Sequence, residues 1–274
     1  MRDHAVAHTI DPSLPDFAEL PPFRCEFWGR RCSDFLVLIP VINEGERILR
    51  QLAGMRGAGL DLDVLVVDGG STDGSTEPVR LRGELGVTGL LVKTGAGKLS
   101  AQLRLGMAWA MSRGYSGVIT IDGNGKDDYR AIPRFVDALH AGYGHLQGSR
   151  YVKGGFGENT PLDRELAVRF LHAPLVSLAA RFRYTDTTNG FRGYSRALLL
   201  DPRVRPFRAV FSTYNLHYYL AIRAARLGFK VGEIPVTRRY PASGPPPSKI
   251  GGFTGKAHIL MQTVHAALGS YDPH

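Results

Sequence analysis

The stretch GVITIDGNGKDDYRAIPRF, residues 117–135, is the most informative part of this 274-residue chain. A fully apolar run ends at Ile121, a turn of glycines and charged side chains follows, and a helical pattern covers residues 131–142. Short apolar runs bounded by turn residues are typical of strands that a sheet buries on both faces. The stretch therefore predicts a strand, a polar turn and a helix in that order.

The same alternation recurs along the first half of the chain. Strands are predicted at 35–40, 63–68, 89–93, 117–121 and 145–150, and helices at 43–56, 97–114 and 131–142. Strands that alternate with helices predict parallel pairing, because each helix carries the chain back to the start of the next strand. We therefore expect an α/β fold, with a mostly parallel, Rossmann-like sheet flanked by helices in a single domain.

Three segments are predicted along the chain. Residues 1–33 hold four prolines and show no helical or strand period, which indicates an irregular lead-in. Residues 34–252 are expected to form the α/β domain, and residues 253–274 a C-terminal helix and tail. Further elements are predicted in the second half: helices at 162–181, 212–228 and 254–268, a strand at 231–240, and a proline-rich loop at 241–247 that is a candidate lid.

The formal charge of +9 suits an anionic partner, such as a nucleotide, a phosphorylated substrate, nucleic acid or an acidic membrane face. The basic residues are scattered rather than grouped with aromatic ones, which disfavours nucleic acid. The two cysteines are expected to be reduced thiols. No apolar stretch reaches the ~18–20 residues of a spanning helix. We expect a cytoplasmic protein with at most a peripheral contact at the inner membrane face.

Polar clusters follow three of the predicted strands, at residues 40–44, 68–73 and 122–128. Helix capping explains single members such as Asn43. It does not explain Asp122 and Asn124, which precede the helix. In open parallel sheets, ligands bind at the carboxyl ends of the strands. The clusters therefore predict a nucleoside-diphosphate site at that edge of the sheet.

Each residue type in these clusters suits one part of such a ligand. Asp68 is a candidate acceptor for a base N–H, and Gly70 and Gly123 let the backbone come close to the ligand. Asp122 and Asn124 offer two oxygen ligands to a divalent cation that bridges phosphates. Positive charge for the phosphates is expected from Lys98, Arg150, Arg192 and Lys249.

Six segments carry a resemblance to a known family: LIPVINE, VLVVDGGSTDGS, ITIDGNGKDD, GSRYVKGG, DTTNGFRGYSRALL and GEIPVTRRYPASGPPPSKI. They occur in the order seen in family 2 glycosyltransferases, and the chain is similar to the dolichol-phosphate mannose synthase-like branch of that family. The resemblance implies the GT-A fold, a UDP- or GDP-sugar donor, a divalent metal (Mg²⁺ or Mn²⁺) and inversion at the anomeric carbon.

The resemblance also implies roles for single positions. The nucleoside pocket would be lined by Pro40, Asn43, Glu44 and Asp68. Asp122 and Asn124 fall on the metal and diphosphate motif, and Arg150 and Lys249 fall on positions that face acceptor or donor phosphate. Residues 186–192 fall where the family builds its acceptor side.

Three positions depart from the family pattern. Gly69 stands where a second aspartate is usual, and Asn124 replaces the second aspartate of the metal motif. Lys126 stands where the synthases have glutamine. Because it brings a positive charge beside the metal motif, it is a further candidate for substrate binding. A lysine beside a metal site either weakens the metal or partly replaces its charge, which leaves metal dependence open.

Asp122, Asp186 and Arg150 are the predicted catalytic residues. A metal held by Asp122, with Lys126, Arg150 or Lys249, would stabilise the leaving diphosphate. A phosphate acceptor, such as polyprenyl phosphate, is already anionic, whereas a hydroxyl acceptor on a small molecule or glycan needs a carboxylate base. Asp186 is the candidate base, and it is equally well explained as a turn residue in TDTTNG.

Other functions and contacts remain open at this point. A nucleotidyltransferase also uses a nucleotide and an α/β sheet, although PVINEGER lacks the expected Gly-rich basic loop. A non-catalytic nucleotide-sugar-binding protein is the second alternative. The helix at 256–268 is predicted to pack on the core, to lie on a membrane or to form a homodimer contact.

Overall fold

A computed structural model describes residues 9–242 and 252–273. Its strands are β1 Phe23–Trp28, β2 Phe35–Val41, β3 Asp63–Asp68, β4 Gly89–Lys93, β5 Gly117–Thr120, β6 His145–Ser149, β7 Phe156–Glu158, β8 Arg192–Ser195, β9 Val231–Pro235 and β10 Thr237–Arg239. In this part of the chain, eight of them form one sheet in the order β1-β4-β3-β2-β5-β8-β6-β9, and β10 pairs with β7. All five strands predicted in the first half are confirmed.

The sheet is mostly parallel. The pairs β2–β3, β3–β4, β2–β5 and β6–β9 are parallel, whereas β1–β4, β5–β8 and β6–β8 are antiparallel. The short strand β8, which the sequence did not predict, lies between β5 and β6. Because β2 pairs in parallel with both β3 and β5, the carboxyl ends of these three strands lie side by side.

All the α-helices except a short one at 196–199, which was not predicted, lie at the predicted segments. They are α1 Glu46–Gly57, α2 Leu99–Ser112, α3 Ile132–His140, α4 Leu162–Ala167, α5 Ala173–Ala180, α6 Arg196–Leu199, α7 Asn215–Arg226 and α8 Gly252–Ala267. A π-helical turn, Val168–His172, joins α4 to α5, so that the predicted helix at 162–181 is continuous. The predicted strand at 231–240 is divided at Val236 into β9 and β10.

Strand β2 contributes to two hydrophobic cores, one on each face of the sheet. Leu36 and Leu38 pack in the core that contains Leu103 of α2. Val37 and its alternate neighbours pack in the core that contains Leu52 of α1. This arrangement explains why the strand is apolar at nearly every position, as expected for a sheet covered on both faces.

The expectation of an irregular lead-in over residues 1–33 is wrong for residues 23–28. These form β1, which pairs with β4 and is itself an edge strand of the sheet. Side chains alternate along β1 between exposed Arg24 and Glu26 and the more buried Phe23, Cys25 and Phe27. This period of two is the signature of an edge strand, and the preceding prolines concealed it.

The C-terminal helix is part of the same unit. Ile259 and Ala266 of α8 pack with Val176 of α5 and Tyr218 of α7 in a third apolar cluster. No helix within the described residues is long and apolar enough to cross a membrane. The greater part of the candidate lid, together with Lys249, lies outside the described residues.

Candidate functional site

A cleft of about 1060 Å³ opens at the carboxyl ends of the parallel strands. Pro40 from the end of β2 and the loop after β5, residues 122–126, line the cleft. Arg150, after β6, and Arg238 of β10 line it as well. Of the described residues, eight cationic side chains and three carboxylates line the cleft, so its charge suits an anionic ligand.

Asp122 lies at the polar end of this cleft. Its Oδ2 accepts a hydrogen bond from Arg238 Nη2 at 3.0 Å and from Asn124 Nδ2 at 3.3 Å. Its Oδ1 lies against Gly190, where even a methyl group would stand 2.3 Å away. Burial opposes ionisation, but Arg238 and Lys126 outweigh it and hold the pKa of Asp122 below its ordinary value. Asp122 is therefore a fixed, ionised carboxylate.

The contact between Asp122 and Gly190 leads to a prediction. Gly190→Ala would displace the carboxylate, and a shift of ~1 Å at a reacting centre lowers the rate roughly 100-fold. The measurement is the catalytic rate of the purified variant at saturating substrate. Gly83→Ala is the control, because a methyl group there meets no atom within 4 Å. Full activity of Gly190→Ala would show that the position of Asp122 is unimportant.

Arg238 is the centre of a buried network that the sequence did not single out. Its Nη1 donates to Asp127 Oδ2 and, at 3.2 Å, to Asn189 Oδ1, while Nη2 binds Asp122. Burial raises the pKa of Asp127 against the charge of Arg238, and the nearby Asp122 carboxylate adds to the rise. The arginine thus joins the loop after β5 to the strand that follows β9.

Lys126 occupies the same end of the cleft. Only 6% of the residue is exposed, and its ammonium lies 5.1 Å from the centre of the Tyr240 ring. Burial and the charge of Arg238 lower the pKa of Lys126 to about 8. Two buried cationic groups, Lys126 and Arg238, therefore flank Asp122.

The residues present do not fit a divalent cation on their own. Asp122 Oδ2 already accepts from Arg238. Asn124 Oδ1 accepts from the backbone N–H of Lys126 at 3.2 Å. Within the described residues, no three His, Cys, Asp or Glu side chains lie close enough together to hold a metal ion. Divalent cations such as Mg²⁺ are usually bound by carboxylates and other oxygen ligands, with no positively charged side chain on the same carboxylate oxygen.

Arg150 and Asp186 form a buried ion pair. Arg150 Nε and Nη2 donate to the two carboxylate oxygens at 2.7 and 3.1 Å, and the side chains are 2% and 0% exposed. Burial alone would raise the pKa of Asp186, but Arg150 outweighs it and lowers that pKa. Arg150 lines the cleft, whereas Asp186 lies behind it. A buried carboxylate with a lowered pKa is poorly suited to accept a proton from an acceptor hydroxyl, so this position favours a role in orienting Arg150.

The loops after β2 and β3 are joined by their own polar side chains. Asn43 Oδ1 accepts from the Thr72 backbone N–H at 2.8 Å, and Asp73 Oδ2 accepts from Gly45 at 2.8 Å. Asp68 accepts from the backbone and hydroxyl of Ser71, and it is 3% exposed. Asn43 and Asp68 thus shape the loops in this structure, while their predicted contact with a nucleoside stays a prediction.

The other predicted phosphate ligands are placed differently from one another. Arg192 is 1% exposed and donates to three backbone carbonyls, those of Asn189, His217 and Thr187, so it braces the fold rather than offering its charge to phosphate. Exposed Lys98 lines the cleft, as do Glu44 and Gly123. Gly70 has a positive φ of 97°, which a turn there requires.

Gln102 is a second residue that the sequence did not single out. It projects from α2, and its Nε2 donates to the carbonyls of Val41 and Val67, each at 2.8 Å. These carbonyls lie near the ends of β2 and β3, so the amide closes the floor of the cleft. The available signal was a polar residue in a helix whose buried residues are mostly apolar, such as Leu103 and Met107.

Helices line the rest of the cleft with a mixture of apolar and charged side chains. The apolar and aromatic ones belong to the continuous helix α4–α5, to α7 and its N-cap, and to α8: Ala167, Val168, Leu171, Tyr214, Tyr218, Ala257, Ile259 and Leu260. The same helices also contribute Asp163, Arg164 and Lys256. On the outer side of α4–α5, Leu162, Leu166, Phe170 and Leu178 are spaced by multiples of four and are 46–81% exposed. We call these four residues the apolar stripe.

The chain matches a known family of enzymes over more than half of its length. The model of Glycosyl transferase family 2 matches residues 36–201. The chain belongs to this family. Membership confirms the predicted enzyme class, a glycosyltransferase that moves a hexose from a nucleotide sugar, and leaves the nucleotidyltransferase alternative without support.

Two curated relatives in this family agree with the predicted branch. The chain is 30% identical over 208 residues to an undecaprenyl-phosphate mannosyltransferase of Micrococcus luteus, covering 74% of this chain and 82% of the relative. It is also 30% identical over 211 residues to a polyprenol monophosphomannose synthase of Mycolicibacterium smegmatis, covering 74% and 76%.

A solved structure supports the GT-A fold of this family 2 member. Glucosyl-3-phosphoglycerate synthase of Mycobacterium tuberculosis, in complex with Mn²⁺, UDP and glucosyl-3-phosphoglycerate, matches with a TM-score of 0.59 at 17% identity. The match covers 86% of this chain and 78% of the other. At this identity the likeness concerns the fold, and it confirms the predicted architecture.

Proposed function

We propose that this glycosyltransferase transfers a hexose from a UDP- or GDP-sugar to the phosphate of a polyprenyl phosphate. One observation carries the proposal: a single cleft joins cationic side chains at the strand ends to a helical lining that includes eight apolar or aromatic side chains. The cationic side chains suit the donor diphosphate and the acceptor phosphate. The apolar side chains of the helical lining suit the first units of a prenyl chain. The two curated relatives, whose names specify polyprenyl phosphates, support the same choice.

The reaction needs no strong base if the acceptor is a phosphate. An anionic phosphate oxygen attacks the anomeric carbon, the bond from that carbon to the diphosphate breaks, and the nucleoside diphosphate leaves with the electron pair. A single in-line displacement inverts the anomeric centre. The protein lowers the barrier by positioning the two phosphates and stabilising the leaving one. Arg150, held by Asp186, is our candidate for the acceptor phosphate.

The prediction of Mg²⁺ or Mn²⁺ at Asp122 and Asn124 draws support from the Mn²⁺ in the structural neighbour. The contacts of Asp122 with Arg238 weigh against it in this chain. The neighbour's product is a soluble phosphorylated metabolite, which keeps a small-molecule acceptor as the alternative to be tested.

The test is a transfer assay with purified protein. Radiolabelled GDP-mannose, GDP-glucose, UDP-glucose or UDP-galactose is incubated with undecaprenyl phosphate in detergent, and label in the organic phase is counted. The proposal predicts labelled lipid with one donor, lost in Asp122→Ala. Label that passes to 3-phosphoglycerate but not to the lipid would favour the soluble acceptor. Failure of every donor with both acceptors would contradict the proposal.

The apolar stripe supports contact with a bilayer surface, where a polyprenyl phosphate resides. Three exposed arginines lie near the stripe in the chain: Arg169, Arg181 and Arg183. A row of exposed apolar side chains beside basic residues is typical of interfacial helices that bind anionic lipid. A homodimer contact through α8, which exposes Met261, stays a competing prediction.

Phe170→Ser tests the membrane contact. Phe170 is 76% exposed, and burying a phenyl ring in an apolar environment contributes about 1.5–3 kcal/mol. We expect the variant to bind phosphatidylglycerol vesicles roughly tenfold more weakly in a sedimentation assay. Val79→Ser is the control, because Val79 is 77% exposed but lies outside these helices. Equal binding by both variants would argue against the stripe, and a dimer lost in Phe170→Ser would argue for a protein contact.

A further inference from the structure

The position beside Asp122 that a divalent cation would take is filled by a side chain of the protein. Arg238 Nη2 lies 3.0 Å from Asp122 Oδ2, and the same guanidinium is fixed by Asp127 and Asn189. A divalent cation on this carboxylate would have to displace Arg238 or remain within a few ångströms of it. Like charges at such distances in a buried site repel strongly.

A second cationic group stands on the same loop. Lys126 follows Asp122 by four residues, lines the cleft and is 6% exposed. Its ammonium lies above the Tyr240 ring, so a buried aromatic face helps to hold a cation at this point. Arginine, lysine and bound metal ions serve the same purpose at phosphates, which is to neutralise charge that develops on the leaving group.

We propose that Lys126 and Arg238 bind the donor diphosphate directly and take the place of a divalent cation at the family's metal position. The inference rests on the proposed function, since it needs a nucleoside-diphosphate donor in this cleft. Asp122 then acts as a positioning residue for Arg238. Lys126, which follows the glycine turn at 123–125 and lines the cleft, supplies the second positive charge to the phosphates.

The experiment is a calorimetric titration of the full chain with UDP and with GDP, first in EDTA and then in Mg²⁺ or Mn²⁺. It is repeated on Lys126→Gln, which removes the charge and keeps a polar side chain that is one atom shorter. Lys230→Gln is the matched control, because Lys230 also lies over a tyrosine ring, 4.1 Å from the centre of Tyr143, but is exposed and outside the cleft.

We expect one nucleotide to bind in EDTA with a Kd within about threefold of its value in Mg²⁺. Loss of a charged hydrogen-bond donor should raise that Kd about tenfold or more in Lys126→Gln and leave Lys230→Gln unchanged. Binding that requires metal, or that is unaffected in Lys126→Gln, would overturn the inference and leave the proposed function intact. No binding of either nucleotide under any condition would contradict the proposed function itself.

Discussion

Asp186→Asn is expected to lower the free energy of unfolding by about 3–5 kcal/mol, the usual result of removing one partner of a buried ion pair. The carboxylate is fully buried and makes a two-point contact with Arg150, at 2.7 and 3.1 Å. The asparagine amide keeps the size but leaves the guanidinium without its counter-charge. Urea unfolding followed by circular dichroism is the measurement, with both midpoint and slope compared with the wild type.

Glu158→Gln is the control for this prediction. Glu158 binds Arg239 at 3.0 Å, but both side chains are about half exposed, so loss of this ion pair should cost no more than about 1 kcal/mol.

The pH dependence of the free energy of unfolding gives a second check on Asp186. Because Arg150 lowers the folded-state pKa of Asp186, the ion pair stabilises the protein above pH ~4 and this contribution is lost as the pH falls further. The difference between Asp186→Asn and wild type should therefore narrow in acid, and equal stability at pH 7 would refute the assignment.

Arg238→Lys is expected to lower the transfer rate by about 100- to 1,000-fold, the effect of losing a fixed donor at developing charge. The guanidinium contacts Asp122, Asp127 and Asn189 at once. A lysine keeps the charge but has no planar fork with which to hold these groups and a phosphate together. The rate at saturating donor and acceptor is the quantity to measure.

Arg239→Lys is the matched control. The Arg239 side chain is 55% exposed, and within the described residues it forms an ion pair with Glu158 alone. This variant should retain wild-type activity. Circular dichroism and the unfolding midpoint of Arg238→Lys show whether the fold is kept. A well-folded Arg238→Lys with a normal rate would mean that the guanidinium has no part in the reaction.

The sheet and its ligand-binding edge were accessible from the sequence because both depend on local patterns. Apolar runs such as LVLIP and VITI have few other structures open to them, and their alternation with helices fixes parallel pairing. Once the strands are parallel, the residues that follow them must meet at one edge. The position of Asp122 and Asn124 in the cleft follows from that rule.

The partners of charged residues were not accessible in the same way. Asp186 is 36 residues from Arg150, and Arg238 is 116 residues from Asp122, so both pairs depend on tertiary packing. Sequence alone cannot distinguish an arginine that binds phosphate from one, such as Arg192, that binds three backbone carbonyls inside the fold. For the same reason β8 escaped prediction, because four residues with two polar side chains and a glycine carry little period.

Crystal structures of the chain grown with UDP and with GDP would show whether the cleft holds the donor nucleotide. We expect one nucleotide in the cleft at the strand ends, with its diphosphate beside Asp122 and within hydrogen-bond distance of Lys126 Nζ. A nucleotide bound elsewhere on the sheet, or in this cleft with its phosphates against the helical lining formed by α4, α7 and α8, would contradict this expectation.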